Sequence, residues 1–300
     1  MIPVNEPWLG PLEVDFVNEC LATGWISSAG RYIEEFEREW AGYCDRSYGI
    51  AMCNGTAALC AAVAALGLGP GDEVILPSFT IISCVLAVLE AGAVPALVDC
   101  DPDTWTMDVD QVAERITPRT KAIMPVHIYG HPVDMDPVMS LAHQRGLTVI
   151  EDAAEAHGAR YKGRRCGSFG EISCFSFYAN KIITTGEGGM VLTDSAQLAE
   201  RLRAQRNLAF QPQQRFLHNE LGHNYRMTNI QAAIGLAQLR KIEDHLEKKR
   251  WMARAYTQRL SDVECIQLPV QREWAENVYW MYGLVLRESA GMDARQFAAR

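Results

Sequence analysis

Ser47–Leu66 reads SYGIAMCNGTAALCAAVAAL. Its first seven residues form an apolar run of strand length. Ala57–Leu66 is an alanine-rich helical pattern, and Asn54-Gly55-Thr56 joins the two. Outward from there, Gly67-Leu68-Gly69-Pro70-Gly71-Asp72 turns the chain into a second strand, Glu73–Pro77. A helix over Ile81–Ala91, a strand over Val94–Asp99, a helix capped by Asp108 and running to Ile116, and a strand over Lys121–His127 come next. Pro137–Arg145 reads as helix, and Leu147–Asp152, Ile172–Phe177 and Met190–Thr193 read as strands. The strands are nearly continuous apolar runs, as expected when helices cover both faces of a sheet. Strands alternating with helices predict right-handed βαβ crossovers. The fold class is therefore α/β: a three-layer α/β/α sandwich with a mostly parallel sheet.

Beyond residue 195 the pattern changes. Helix Ala196–Asn207 leads to a polar stretch, Gln211–Asn224, and then to a long helical pattern, Asn229–Leu260. A β-like run, Val278–Leu286, and a helix over Asp293–Arg300 complete the chain. This places a large domain over 1–240 and the start of a smaller C-terminal α+β domain over 241–300. The 300 residues are 48% hydrophobic and 22% charged, which excludes a disordered chain. No apolar run is long enough to span a bilayer. Met1-Ile2-Pro3-Val4-Asn5-Glu6 lacks the features of a signal peptide, so a cytoplasmic protein is expected. The formal charge of −9 disfavours nucleic acid as a partner. Nine cysteines without a CxxC pair point to buried reduced thiols, with no disulfide framework or zinc site.

Ligands of open parallel sheets sit beyond the carboxyl ends of the strands. The residues there are Asn54-Gly55-Thr56, Ser78-Phe79-Thr80, His127, Asp152 and Ser176. Asn54-Gly55-Thr56 is either a capped turn or a phosphate cup at a helix N-terminus. Asp152 stands in Glu151-Asp152-Ala153-Ala154-Glu155-Ala156-His157. That grouping could hold a metal, but on a strand Asp152 and Glu151 point to opposite sides, and no metal is assigned. Lys181 follows Phe175-Ser176-Phe177-Tyr178-Ala179-Asn180 and precedes Ile182-Ile183. It is either a snorkelling surface amine or a half-buried nucleophile whose pKa burial depresses. Phosphate cup, strand-end carboxylate and half-buried lysine together describe one cofactor, pyridoxal 5′-phosphate.

At these residues the sequence resembles the DegT/DnrJ/StrS-type sugar aminotransferases, which have the aspartate-aminotransferase fold (type I of the pyridoxal-phosphate enzymes). The likeness covers nearly the whole chain. It is carried by Gly24-Trp25-Ile26-Ser27-Ser28, Cys53–Leu59, Gly71–Pro77, Val126-His127-Ile128-Tyr129-Gly130, Glu151–His157, Phe175–Gly189 and Gly222–Ala233. The resemblance implies Lys181 as the Schiff-base lysine and proton shuttle. It implies Asp152 at the pyridinium nitrogen, and Glu155 near the ring's phenolic oxygen. Thr56, the backbone after Gly55, and Ser176 would bind the phosphate. Asn224 would reach the phosphate in a neighbouring subunit, which implies a homodimer with shared sites. Trp25, Ser27 and Ser28 would line the sugar pocket.

The implied reaction moves an amino group, with L-glutamate as donor, to a nucleotide-linked keto-deoxy sugar. GDP-4-keto-6-deoxymannose leads over dTDP- and UDP-linked sugars, and the product class is deoxyamino sugars such as those of lipopolysaccharide O-antigen. A related sugar dehydratase would carry histidine in place of Lys181, and a regulator without turnover would show no exchange with glutamate. Ile81 stands where the family often places a ring that stacks on the cofactor. The chain also stops where the family pattern continues for several tens of residues.

Overall fold

The computed structural model describes residues 4–211 and 214–299. Two helices come first, α1 (Pro11–Thr23) and α2 (Arg31–Tyr43), in a stretch where the sequence reading assigned no element. The large unit then runs β1 (Tyr48–Met52), α3 (Gly55–Ala65), β2 (Glu73–Pro77), α4 (Ile82–Glu90), β3 (Val94–Val98) and α5 (Val109–Arg115). It continues with β4 (Thr120–Ile123), α6 (Met135–Arg145), β5 (Thr148–Asp152), the short β6 (Arg160–Tyr161) and β7 (Arg164–Arg165), then β8 (Ile172–Ser176), β9 (Gly189–Thr193) and α7 (Ala196–Arg206). Helices α8 (Asn229–Leu239) and α9 (Ile242–Leu260) precede β10 (Ile266–Gln267), β11 (Ala275–Glu276), β12 (Val285–Leu286) and α10 (Ala294–Ala298). The helix read over Asp293–Arg300 thus ends earlier, and Arg300 lies outside the described residues, as do Pro212 and Gln213 of the polar stretch.

The central sheet has seven strands in the order β1-β9-β8-β5-β4-β2-β3. Only β9 runs against the others; it is antiparallel to both β1 and β8. The three layers follow from the period of two along each strand. Ile50 and Met52 of β1, Ile150 of β5, Cys174 of β8 and Val191 of β9 face a core under α3, α4 and α7. Ala51, Phe175, Met190 and Leu192 face the opposite core, with α2 and α8. At the far end of the sheet Ile75, Ile123 and Val149 face a third core that includes Val112 of α5 and Val138 of α6. Ala57, Ala58, Ala61, Ala62 and Ala65 bring α3 close against the sheet, because their short side chains leave the helix backbone little distance to keep.

Three readings are corrected. The strand expected over Lys121–His127 stops at Ile123, because Pro125 has no N–H for a ladder; Val126 makes only an isolated bridge to Asp152. The long helix over Asn229–Leu260 is two helices, broken where Lys241 leaves helical geometry at φ −117° and sets its amine 2.9 Å from Glu13. The β-like run Val278–Leu286 is a strand only at Val285–Leu286, because Tyr279 takes a left-handed φ of 48°. Residues beyond 240 contribute Ile242, Leu246, Val278 and Trp280 to the core shared with Trp40 and Phe175, and β11 pairs with β6. All nine cysteines are free thiols, and Cys20, Cys44, Cys84, Cys166 and Cys174 are buried.

Candidate active site

A cavity of about 510 Å³ opens at the carboxyl ends of β1, β5 and β8. Gly55, Thr56, Asp152, Glu155, Ser176 and Lys181 all line it. At its floor Asn54 caps α3, its Oδ1 accepting the Ala57 N–H at 2.8 Å. Gly55 follows, and a side chain there would stand 2.8 Å from Ser176 Cβ. Only glycine lets the start of the helix approach β8 this closely. The Thr56 and Ser83 hydroxyls lie 2.8 Å apart beside the free N–H groups of the α3 terminus.

Asp152 is the last residue of β5 and is 2% exposed. Its Oδ1 accepts the Ala154 N–H at 3.0 Å, and its Oδ2 accepts the Cys84 thiol at 3.0 Å. Burial, with the Asp152 charge second, pushes the Cys84 thiol well up, so it keeps its proton and donates. The Thr80 hydroxyl, 3.2 Å from Cys84 Sγ, then donates to the sulfur. Glu155 accepts the Tyr129 N–H at 2.7 Å, and its other oxygen is 3.6 Å from Lys181 Nζ. Burial pushes the Glu155 carboxyl up to about 7 and lowers the Lys181 amine. In both groups the buried surroundings disfavour the charged form.

The acid-rich segment divides between cavity and core. Glu151 points away from Asp152 and accepts N–H groups from Gly167 and Phe169. His127 is a correction: it is fully buried behind the cavity and not at its edge. Its Nδ1 accepts the Val133 N–H at 2.9 Å, so Nε2 carries the proton donated to Glu151 at 2.8 Å. Cys166 stands beside this pair, but the carboxylate and ring atoms are already engaged within the chain. His157 lies among Trp40, Phe175 and Phe177, where burial pushes it down to about 3 and keeps it neutral.

Four residues expected at the site do not reach this cavity in their own chain. Asn224 is exposed and accepts the Arg226 Nε–H at 2.8 Å. Trp25 is exposed, and Asn229 pins its loop through the carbonyls of Trp25 at 2.7 Å and Ser27 at 2.6 Å. Ser28 faces a separate cavity of about 190 Å³ with Arg203, Arg206 and Arg226. Ile81 does line the main cavity. Cys84, Ser83, Trp280 and Met281 are additions that sequence reasoning missed. Cys84 sits in an apolar helix pattern, and Trp280 lay in a run with strand-like composition, so neither carried a local signal.

The profile of the DegT/DnrJ/EryC1/StrS aminotransferase family matches residues 9–300. The GDP-perosamine synthase of Caulobacter vibrioides is 49% identical over 288 residues, covering 96% of this chain and 78% of that protein. The GDP-perosamine synthase of Escherichia coli O157:H7 is 46% identical, covering 95% of this chain and 78% of that protein. Among solved structures, DesV of S. venezuelae, in complex with a ketimine intermediate, superposes with a TM-score of 0.89 at 38% identity, over 96% of this chain and 77% of that one.

Proposed function

This chain belongs to the DegT/DnrJ/EryC1/StrS aminotransferase family, and from that membership we propose that it moves an amino group from L-glutamate to GDP-4-keto-6-deoxymannose, giving GDP-perosamine. It is a sugar aminotransferase, and its cofactor is pyridoxal 5′-phosphate. The observation that carries the residue assignment is the single cavity that joins a helix start, a buried carboxylate and a buried amine.

These residues fit the cofactor. The helix start at Gly55, where a Cβ would crowd Ser176, offers free N–H groups to a phosphate, and Thr56, Ser83 and Ser176 of the same cavity lining offer hydroxyls. When bound, pyridoxal phosphate supplies an aldehyde for an amine and a ring that withdraws electrons from the reacting carbon. Asp152, a carboxylate held by Cys84 and Ala154, would keep the proton on the ring nitrogen. Glu155 would face the ring's phenolic oxygen, its carboxyl raised by burial against the opposing pull of Lys181. Lys181 is the one amine among the described residues lining the cavity, and it would link to the cofactor and carry the proton to and from the substrate carbon. Ile81 would cover the ring face with aliphatic surface.

Asn224, Trp25, Ser27 and Ser28 stand outside their own chain's cavity and would complete the site of a second copy, in a homodimer. Absorbance tests the core of the reading. Purified protein with pyridoxal phosphate should show a lysine-linked cofactor band that bleaches on adding L-glutamate and is missing in Lys181→Ala. A band that persists in Lys181→Ala, or does not respond to glutamate, overturns the assignment.

A further inference from the structure

Trp280 has no part in the reading above, yet its ring centroid is 3.5 Å from Lys181 Nζ. On another side of the same nitrogen lies Glu155 Oε1 at 3.6 Å, and both side chains of that pair are 10% exposed. An indole face attracts a cation most strongly when water is excluded. We propose that Trp280 is a positioning residue for Lys181: its ring and the Glu155 carboxylate form a seat that holds the free amine turned into the cavity whenever the lysine carries no covalent partner. This rests on the reading of Lys181 as the reactive amine. A transaminase lysine is free during half of each cycle, and an unheld side chain of four rotatable bonds would lose its aim.

The indole is fixed from several sides. Its Nε1 donates to the Asn180 carbonyl at 2.7 Å, next to the lysine itself. The Trp280 carbonyl accepts a hydrogen bond from the Lys249 amine at 3.3 Å, and burial lowers the pKa of that amine to about 8. Tyr279 holds a left-handed φ of 48°, its N–H on Asn277 Oδ1 at 2.8 Å, and this turns the next residue inward. A non-glycine residue kept in that region marks a conformation the surroundings impose. Gly130 completes the seat: a Cβ there would stand 2.6 Å from Val278 Cγ2 and 3.1 Å from the Trp280 nitrogen. The neighbouring Tyr129 N–H is the one that Glu155 accepts. Ring and carboxylate are therefore set by one turn, Ile128–Gly130, which His127 and Glu151 anchor from the core. Other charged or titratable groups around the amine are Asp152, Glu187 and Tyr178 on the cavity wall, neutral His157 behind it, and Glu6, His245, Lys248 and Lys249 around a second cavity that Lys181 also borders.

The test follows the rate at which cofactor-depleted protein links to added pyridoxal phosphate, from about pH 6 to 10, with borohydride reduction and peptide mass locating the label. Only the unprotonated amine adds to the aldehyde, so the profile reports both aim and protonation. Trp280→Leu should lower the plateau rate about tenfold and move the midpoint down by about one pH unit, because a cation loses its support. Trp280→Phe keeps a ring face and should restore most of both. A Trp280→Leu profile equal to wild type overturns the proposal, and so does a lower plateau with an unmoved midpoint, which marks a packing role alone. Labelling at a different lysine in wild type would overturn the Lys181 reading itself, and the proposal with it. A second measurement needs no Trp280 variant. In cofactor-depleted wild type with isotopically labelled lysine, one ε-methylene resonance should be shifted far upfield by the indole ring and should vanish in Lys181→Arg. The absence of that resonance also overturns the proposal.

Discussion

Glu155 and Lys181 take their chemistry from burial, and pH should reveal it. Glu155 is raised from 4.5 to about 7, so between those values the folded chain holds a proton that the unfolded chain has released. Its contribution to stability is whole below about pH 4.5 and is lost as pH rises through about 7. The depressed Lys181 has the opposite sign: its contribution is lost as pH falls through its folded value. Glu155→Gln removes the first dependence. Thermal melts of the cofactor-free proteins should show the variant gaining on wild type as pH rises from about 5 to about 8. A gap that stays constant contradicts the placement of Glu155. Asp152→Asn keeps an acceptor for the Ala154 N–H but loses the charge. The rate at which glutamate bleaches the bound cofactor should then fall about 10²- to 10³-fold, with cofactor still retained. Asp152 and Lys181 were legible because each stands at a point of the chain where local order decides where it lies: a strand end, and a lysine among apolar neighbours. Cys84 and Trp280 were not, since each meets its partner only when segments 68 and 100 residues apart in the chain come together.

Among the elements, α3 and the β8 end next to it decide whether a phosphate has a cradle. Gly55→Ala places a methyl 2.8 Å from Ser176 Cβ. The helix start must shift, costing about 1–3 kcal/mol in a denaturant titration and weakening cofactor retention. An unchanged titration and unchanged cofactor off-rate would mean that the close approach is not used. At α8, Asn229 is buried, caps the entry to α2 through the Tyr32 N–H at 3.1 Å, and holds the Trp25 carbonyl. Asn229→Ala orphans both groups and should destabilise the fold by about 2 kcal/mol or more. Seven strands of the sheet were visible in the sequence, because apolar runs between turn residues mean little else. Their ends were less so. Lys121–His127 was overread because Pro125 sits inside an apolar run. The run from Val278 failed because a left-handed Tyr279 leaves no mark in composition. Helices α1 and α2 lack the alternation with strands that made the rest readable.

Across the whole molecule, four residues of the expected site lie outside the cavity of their own chain. Asn224, Trp25, Ser27 and Ser28 entered the reading only through resemblance, and none of them lines the cavity of its own chain. If they serve a second copy, an equimolar, re-equilibrated mixture of Lys181→Ala and Asn224→Ala chains should recover about a quarter of the wild-type activity, because about half of the dimers are mixed and each of those holds one intact site of two. Chains with self-contained sites would recover none. Among the described residues no helix is long and apolar enough to cross a membrane. Transfer of an amino group to a nucleotide-linked keto sugar is read out by the mass of the product. Incubation of the cofactor-loaded protein with ¹⁵N-labelled L-glutamate and GDP-4-keto-6-deoxymannose should give a GDP-sugar carrying one ¹⁵N amino group in place of the keto oxygen. A keto sugar recovered unchanged, alongside dTDP- and UDP-linked keto sugars equally unchanged, would contradict it.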